Sequence, residues 1–172
     1  PEDMTEWETA WAAAGEPVGE NQTDNHPSPA GPQATVLEMA MVGAGIANDG
    51  VIMQPYLVDG VYNANGERSL TAAPAKLLQA TSPETAQEVK GILEGVVKQG
   101  TGMVAAVEGV DVAGKTGTAE KEDSNDSWFV GMAPADNPQV VVAIIIEDGE
   151  EGVGASKAQN VLRVALQVQG EL

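Results

Sequence analysis

The 172-residue chain contains no cysteine. That excludes a disulfide framework and thiolate chemistry, and it suits an exported protein. Aromatic residues make up only 3% of the chain, so its core must be built from Val, Ile, Leu, Met and Ala. Basic residues are scarce, with 8 Lys and Arg against 26 Asp and Glu and a net charge of −18. Such a charge repels phosphate backbones and anionic membrane surfaces, which argues against a nucleic-acid partner. Its plainest consequence is solubility. No apolar run is long enough to cross a bilayer, and no signal peptide opens the chain. The sole histidine, His26, stands between Asn25 and Pro27 in a proline-rich stretch and reads as solvent-exposed rather than catalytic. With 42% hydrophobic residues, the chain is one domain's worth, long enough to bury a core.

Residues 1–33 differ from the rest: they are studded with acids and carry prolines at 17, 27, 29 and 32. A short helix is expected over residues 6–14, with Trp7 and Trp11 on one face, followed by irregular chain. The second region, residues 34–172, alternates helical and strand patterns. Thr35 with Glu38 three residues on is a capping-box signature. It opens a helix that is apolar nearly all round (Val36, Leu37, Met39, Met41, Val42, Ile46), expected to be buried on most sides and ended by Asn48-Asp49-Gly50. Residues 51–58 read as a strand, and Asn63-Ala64-Asn65-Gly66 as a turn into a weaker return strand. Ser82 and Pro83 open the next helix. Its positions Ala86, Val89, Ile92, Leu93, Val96 and Val97 share one face, and Gly100 and Gly102 stop it. Residues 139–146, with the unbroken apolar run 140–146, read as a strand buried on both faces. A glycine-punctuated loop carrying Glu147, Asp148, Glu150 and Glu151 leads to a helix over 155–168, with Val161, Leu162, Ala165, Leu166 and Val168 inward. This acidic group is most simply a solvated loop. The expected fold class is α/β of the α+β type: an antiparallel β-sheet flanked by helices.

Residues 110–134 organise the chain. Val110 and Val112 alternate with polar neighbours as a half-buried strand would. Gly114, Lys115, Thr116, Gly117 and Thr118 follow, a cation and two hydroxyls framed by glycines. Residues 122–126 are turn formers, and Trp128-Phe129-Val130 resumes as a strand. Glycine inside a strand marks a place where a ligand or another backbone comes close. The pair around Lys115-Thr116 therefore suggests a strand edge against which something is laid.

Lys115-Thr116-Gly117-Thr118 resembles the Lys-Thr-Gly motif of penicillin-binding proteins and serine β-lactamases. The surrounding Ala-Gly-Lys-Thr-Gly-Thr-Ala-Glu, the later Trp-Phe-Val-Gly-Met-Ala-Pro and the helix near Thr35 are similar to class B penicillin-binding transpeptidases, over about residues 31–166. The resemblance implies a partial transpeptidase fold from the C-terminal portion of that domain, without cofactor or metal. Its reaction is covalent acyl transfer on the D-Ala-D-Ala end of a peptidoglycan stem peptide, which β-lactams mimic. Lys115 would then supply positive charge, and Thr116 and Thr118 would hold the substrate carboxylate. Gly117 would clear space for a strand-like substrate, and the Thr118 main-chain N–H would donate into the oxyanion hole.

The family's other two motifs, Ser-x-x-Lys and Ser-x-Asn, occur nowhere in the sequence. Ser124-Asn125-Asp126 is a permuted decoy in a turn, and Ser156-Lys157 lacks the spacing. The chain, which begins at Pro1, is therefore expected to be a fragment that is inactive alone. Its parent would be held at the extracytoplasmic face of the cell membrane by an N-terminal segment absent here. An outer sheet strand would be missing too, so the edge of strand 140–146 is expected to pair with a second copy. The helical half of that domain would be missing as well, so one face of the Thr35 helix is expected to stay open. Two other readings remain: a non-catalytic β-lactam sensor or scaffold on the same fold, and a serine β-lactamase remnant.

Overall fold

A computed structural model describes residues 34–121, 123–170 and 172. The segment 1–33, with its expected helix and His26, lies outside the described residues, as does Glu122. Helix α1 (Val36–Ala47) starts where the sequence signals it. Thr35 Oγ1 accepts from the Glu38 N–H at 3.2 Å, while the Glu38 carboxylate accepts from the Thr35 N–H at 2.7 Å. At its other end the left-handed residues are Asp49 and Gly50, with φ of 51° and 81°. Asn48, the C-cap, has a negative φ of −111°.

Two short ribbons follow. Strands β1 (Val51–Met53) and β4 (Lys76–Gln79) pair with each other, as do β2 (Gly60–Tyr62) and β3 (Arg68–Thr71). The single strand expected over 51–58 is thus cut to three residues. Pro55, which has no N–H to give a ladder, breaks it. The expected turn forms at 63–66, where Asn63 Oδ1 accepts from the N–H groups of Asn65 and Glu67.

Helix α2 (Pro83–Gln99) has Ser82 as its N-cap and Pro83 in its first turn, and it stops at Gly100. Ala86 and Val97 are buried as expected, but Ile92 points to solvent. The apolar stripe is wider than the contact it serves. A 3₁₀ turn (Met103–Ala105) leads into the central sheet.

That sheet comprises β5 (Ala113–Glu120), β6 (Asn125–Ala133) and β7 (Val140–Ile146), antiparallel in the order β5-β6-β7. The strand expected to begin at Val110 begins at Ala113 instead. Val110 forms only an isolated bridge to Val107, around Gly109 with φ 83°. Helix α3 (Val153–Gln169) closes the chain.

Register sorts the side chains by face, since directly opposed residues share one. Lys115 opposes Val130, Gly117 opposes Trp128, and Trp128 opposes Ile145. This face meets α1, whose Gly43 presses on Val130 and Val141. Phe129, Val142 and Ile144 look the other way and pack with Leu162 and Leu166 of α3. Burying those two leucines and the phenylalanine is worth roughly 1.5–3 kcal/mol each. Val161 and Val168, expected inward, lie on the outer side of α3. Leu162 and Leu166, one turn apart, face inward, and Val161 and Val168 fall outside that stripe.

Two further expectations need correction. In β7 only Val142 is fully buried; the other residues are half-buried. The strand is the outer member of the described sheet, so its far edge has no strand beside it. In α1 the buried residues are Gly43 and Gly45, which let the helix approach the sheet, while Val36, Leu37 and Val42 are exposed. The expectation of an open face on this helix is met; burial on most sides is not.

Candidate active site

β5 is an edge strand, hydrogen-bonded to β6 on one side only. Alternate residues of such a strand turn their N–H and C=O groups away from the ladder. Lys115, Thr116, Gly117 and Thr118 all line a cleft of about 650 Å³, which Ala34 and Met39 from the start of the described chain also line. Trp128, Val130 and Ile145 form the floor, and Asp126 lies farther along. The four motif residues are brought together, though not on one face. By register Lys115 and Gly117 stand with Trp128, whereas Thr116 and Thr118 oppose Phe129 and Ser127 on the α3 side.

Lys115 Nζ donates to the Thr116 carbonyl at 2.6 Å and lies 3.4 Å from Thr116 Oγ1. A Cβ on Gly117 would come within 3.3 Å of Trp128 Cβ, a tight contact. Trp128 is half-buried in the cleft floor rather than in the core.

Sequence reasoning missed Thr101. Its hydroxyl lies 2.8 Å from the Thr116 hydroxyl. It follows directly on α2, which packs on the start of β5 through Leu93 and Ala113. Both flanking glycines are needed, because a Cβ on Gly100 would meet Val96 O at 2.9 Å and one on Gly102 would meet Val96 Cγ1 at 3.2 Å. The available signal was Gly100-Thr101-Gly102, read only as a helix stop.

Asp126 was also missed, having been placed in a turn. It is a strand residue and is 9% exposed. Lys121 Nζ lies 2.5 Å from its carboxylate, and the Asp148 N–H donates to it at 3.1 Å. Ser124 is the turn residue expected, and its hydroxyl donates to Asp148 at 2.6 Å. That bond, followed by Lys121, holds the Asp148 carboxyl below its ordinary value. Lys121 is shifted upward, chiefly by its bond to Asp126. Ser156 and Lys157 lie in the first turn of α3. Among the described residues no group of three metal-capable side chains converges.

A second cleft of about 660 Å³ opens at the far end of the hairpin, lined by Val107, Gly109, Val110, Asp111, Pro134, Asp136 and Asn137. It offers two carboxylates and neither a cation nor a hydroxyl. The chemistry therefore favours the β5 cleft.

An edge strand bearing a cation and hydroxyls, in an antiparallel sheet packed between helices, offers a place where an extended anionic peptide can be laid as an added strand. The family described as penicillin binding protein transpeptidase domain matches residues 7–167, and the chain belongs to it. Among solved structures, the D,D-transpeptidase domain of a peptidoglycan glycosyltransferase from Eggerthella lenta is 70% identical. Its TM-score is 0.82, with 99% of this chain and 42% of that one covered. Penicillin-binding protein A from M. tuberculosis, solved as an imipenem acyl-enzyme complex, is 32% identical with a TM-score of 0.71, covering 81% of this chain and 35% of that one. The peptidoglycan D,D-transpeptidase PbpA of Mycolicibacterium smegmatis is 35% identical over an alignment of 127 residues, with 71% of this chain and 26% of that protein covered. The chain thus spans about a quarter of the length of such curated relatives.

Proposed function

We propose that this chain is the C-terminal part of a class B D,D-transpeptidase domain and supplies the strand that holds the substrate. A serine outside these residues attacks the carbonyl of the penultimate D-Ala of a stem peptide. The C–N bond to the last D-Ala breaks, that D-Ala leaves with a proton, and an amine from a neighbouring stem peptide takes the acyl group. β-Lactams acylate the same serine. Lys115 provides the fixed positive charge, the Thr116 and Thr118 hydroxyls bind the terminal carboxylate, and Gly117 leaves room for the peptide to lie along β5. The Thr118 N–H donates to the developing oxyanion. No cofactor or metal takes part.

The observation that carries this reading is the gathering of Lys115, Thr116, Gly117 and Thr118 on the unpaired edge of β5 over a cleft of about 650 Å³. Relatives named as peptidoglycan enzymes support the chemistry and a site of action outside the cytoplasmic membrane. Among the described residues no helix is long and apolar enough to cross a membrane, so membrane attachment is assigned to an N-terminal anchor in the parent. In the isolated chain the free edge of β7 pairs with a second copy.

The test is incubation of this chain and of its full-length parent with a fluorescent penicillin, followed by a denaturing gel and intact mass. Labelling of the parent with none on this chain is expected. A stoichiometric adduct on this chain would overturn the assignment of the nucleophile. An unlabelled parent would overturn the enzyme reading in favour of a scaffold.

A further inference from the structure

Among the described residues, Asp126 is the one charged side chain that is buried. It also borders the cleft of β5. In the hairpin it opposes Ala119, one residue beyond Thr118. By register it stands on the Lys115 and Gly117 face, away from the Thr116 and Thr118 side chains, so an anionic ligand drawn into the cleft by Lys115 would meet a second negative charge there, in a chain whose net charge is already −18. Burial of an unpaired carboxylate is costly, and across a solvent-filled cleft its repulsion of an approaching anion weakens as salt rises. The structure contains the compensating group. Lys121 Nζ lies 2.5 Å from Asp126 Oδ1 and 3.4 Å from Asp148 Oδ1. Its reach is fixed from both sides: the Lys121 N–H donates to Ser124 O at 2.8 Å, and the Asp148 N–H donates to Asp126.

We infer that Lys121 is a charge-positioning residue of the cleft, neutralising Asp126 so that Lys115 remains the uncompensated charge an anionic ligand meets. The inference rests on the reading of this cleft as a carboxylate-binding site. It assigns Lys121 a part in ligand selection beyond closing the hairpin. The favoured ligands are peptides or β-lactams bearing a free carboxylate next to the reacting amide.

The test uses the full-length parent and the second-order rate of acylation by a fluorescent, anionic penicillin. Lys121→Met is expected to slow acylation at least about threefold at low salt, with the gap closing at high salt. Adding Asp126→Asn to that variant is expected to restore the rate to within about twofold, because the uncompensated charge is gone. Asp126→Asn alone, which leaves Lys121 unopposed, is expected to accelerate acylation at low salt. Glu88→Gln, a loss of one negative charge on the exposed side of α2, is expected to change nothing. A Lys121→Met rate equal to wild type, or a deficit that ignores both salt and the Asp126→Asn change, would reduce Lys121 to a structural clamp. Should Lys121→Met fail to fold, slower acylation by Asp126→Asn alone overturns the inference. If Lys115→Met acylates normally, the carboxylate-site reading itself falls, whatever the Lys121 variants do.

Discussion

The ring of Phe129 occupies the space in which a side chain on Gly114 would have to stand. Its Cζ overlaps the position of a Gly114 Cβ, and its Cε1 lies 2.5 Å from that of Gly131, the residue paired with Gly114 across the ladder. One ring therefore closes over two bare backbones, immediately before the motif begins at Lys115. Gly114→Ala is expected to cost about 1–3 kcal/mol by overpacking, measured by chemical denaturation. The double variant with Phe129→Leu should recover part of that loss relative to Phe129→Leu alone. A Gly114→Ala protein as stable as wild type would refute the packing account.

Thr101 offers a test of how the site is oriented. Removing its hydroxyl frees Thr116 from a partner at 2.8 Å. For Thr101→Val in the full-length parent, loss of about 1 kcal/mol of hydrogen bonding corresponds to roughly fivefold slower acylation. Thr101→Ser should restore the rate. Failure of serine to rescue would show that the methyl group, and not the hydroxyl, matters.

Lys115 is exposed, so its replacement should leave the fold intact. Lys115→Met is expected to lower acylation by penicillin about 100-fold, the scale on which losing one preorganised electrostatic group slows a reaction. Its unfolding midpoint should match wild type.

A pH dependence follows from the capping box. The Thr35 N–H and hydroxyl donate to the Glu38 carboxylate at 2.7 and 2.9 Å and hold its pKa below the ordinary value. A depressed folded-state pKa means that the stabilisation is present above the unfolded value, about 4.3, and is lost as pH falls through the folded value. Melts of wild type and Glu38→Gln should therefore differ at pH 7 and converge toward pH 3. A difference that persists at pH 3 would mean the box acts through geometry rather than charge.

The open edge of β7 makes a prediction about association. Light scattering of the isolated chain should show a mass that rises with concentration toward a dimer. A monodisperse monomer at high concentration would rule out pairing through that edge.

Local signals in the sequence were the readable ones. Thr35 with Glu38, Ser82 with Pro83, and Asn63 through Gly66 each make their contacts within four residues, and each is found where its spelling places it. Side-chain direction was harder to read. Ile92, Val161 and Val168 fit an apolar stripe but face solvent, because the stripe says which side is apolar and not how wide the partner is. The site was half legible. Lys115 to Thr118 are contiguous and carry a family pattern. Thr101 acts on Thr116 from 15 positions away, and Asp126 meets Asp148 from 22 away. Neither separation leaves a periodic trace in the sequence.

The turn between β7 and α3 is fastened at both ends. The Asp148 N–H is held by Asp126, and the Gly154 N–H donates to Ser127 Oγ at 3.0 Å, where the α3 backbone lies so close to β6 that a Cβ on Gly154 would come within 2.9 Å of Ser127 O. Extra residues introduced between those anchors can only loop outward, away from the sheet. The stretch around Glu150 and Glu151 is thus a natural port for a peptide tag or a fluorophore, one that reports on the domain from the end of α3 without loosening the strands beneath it.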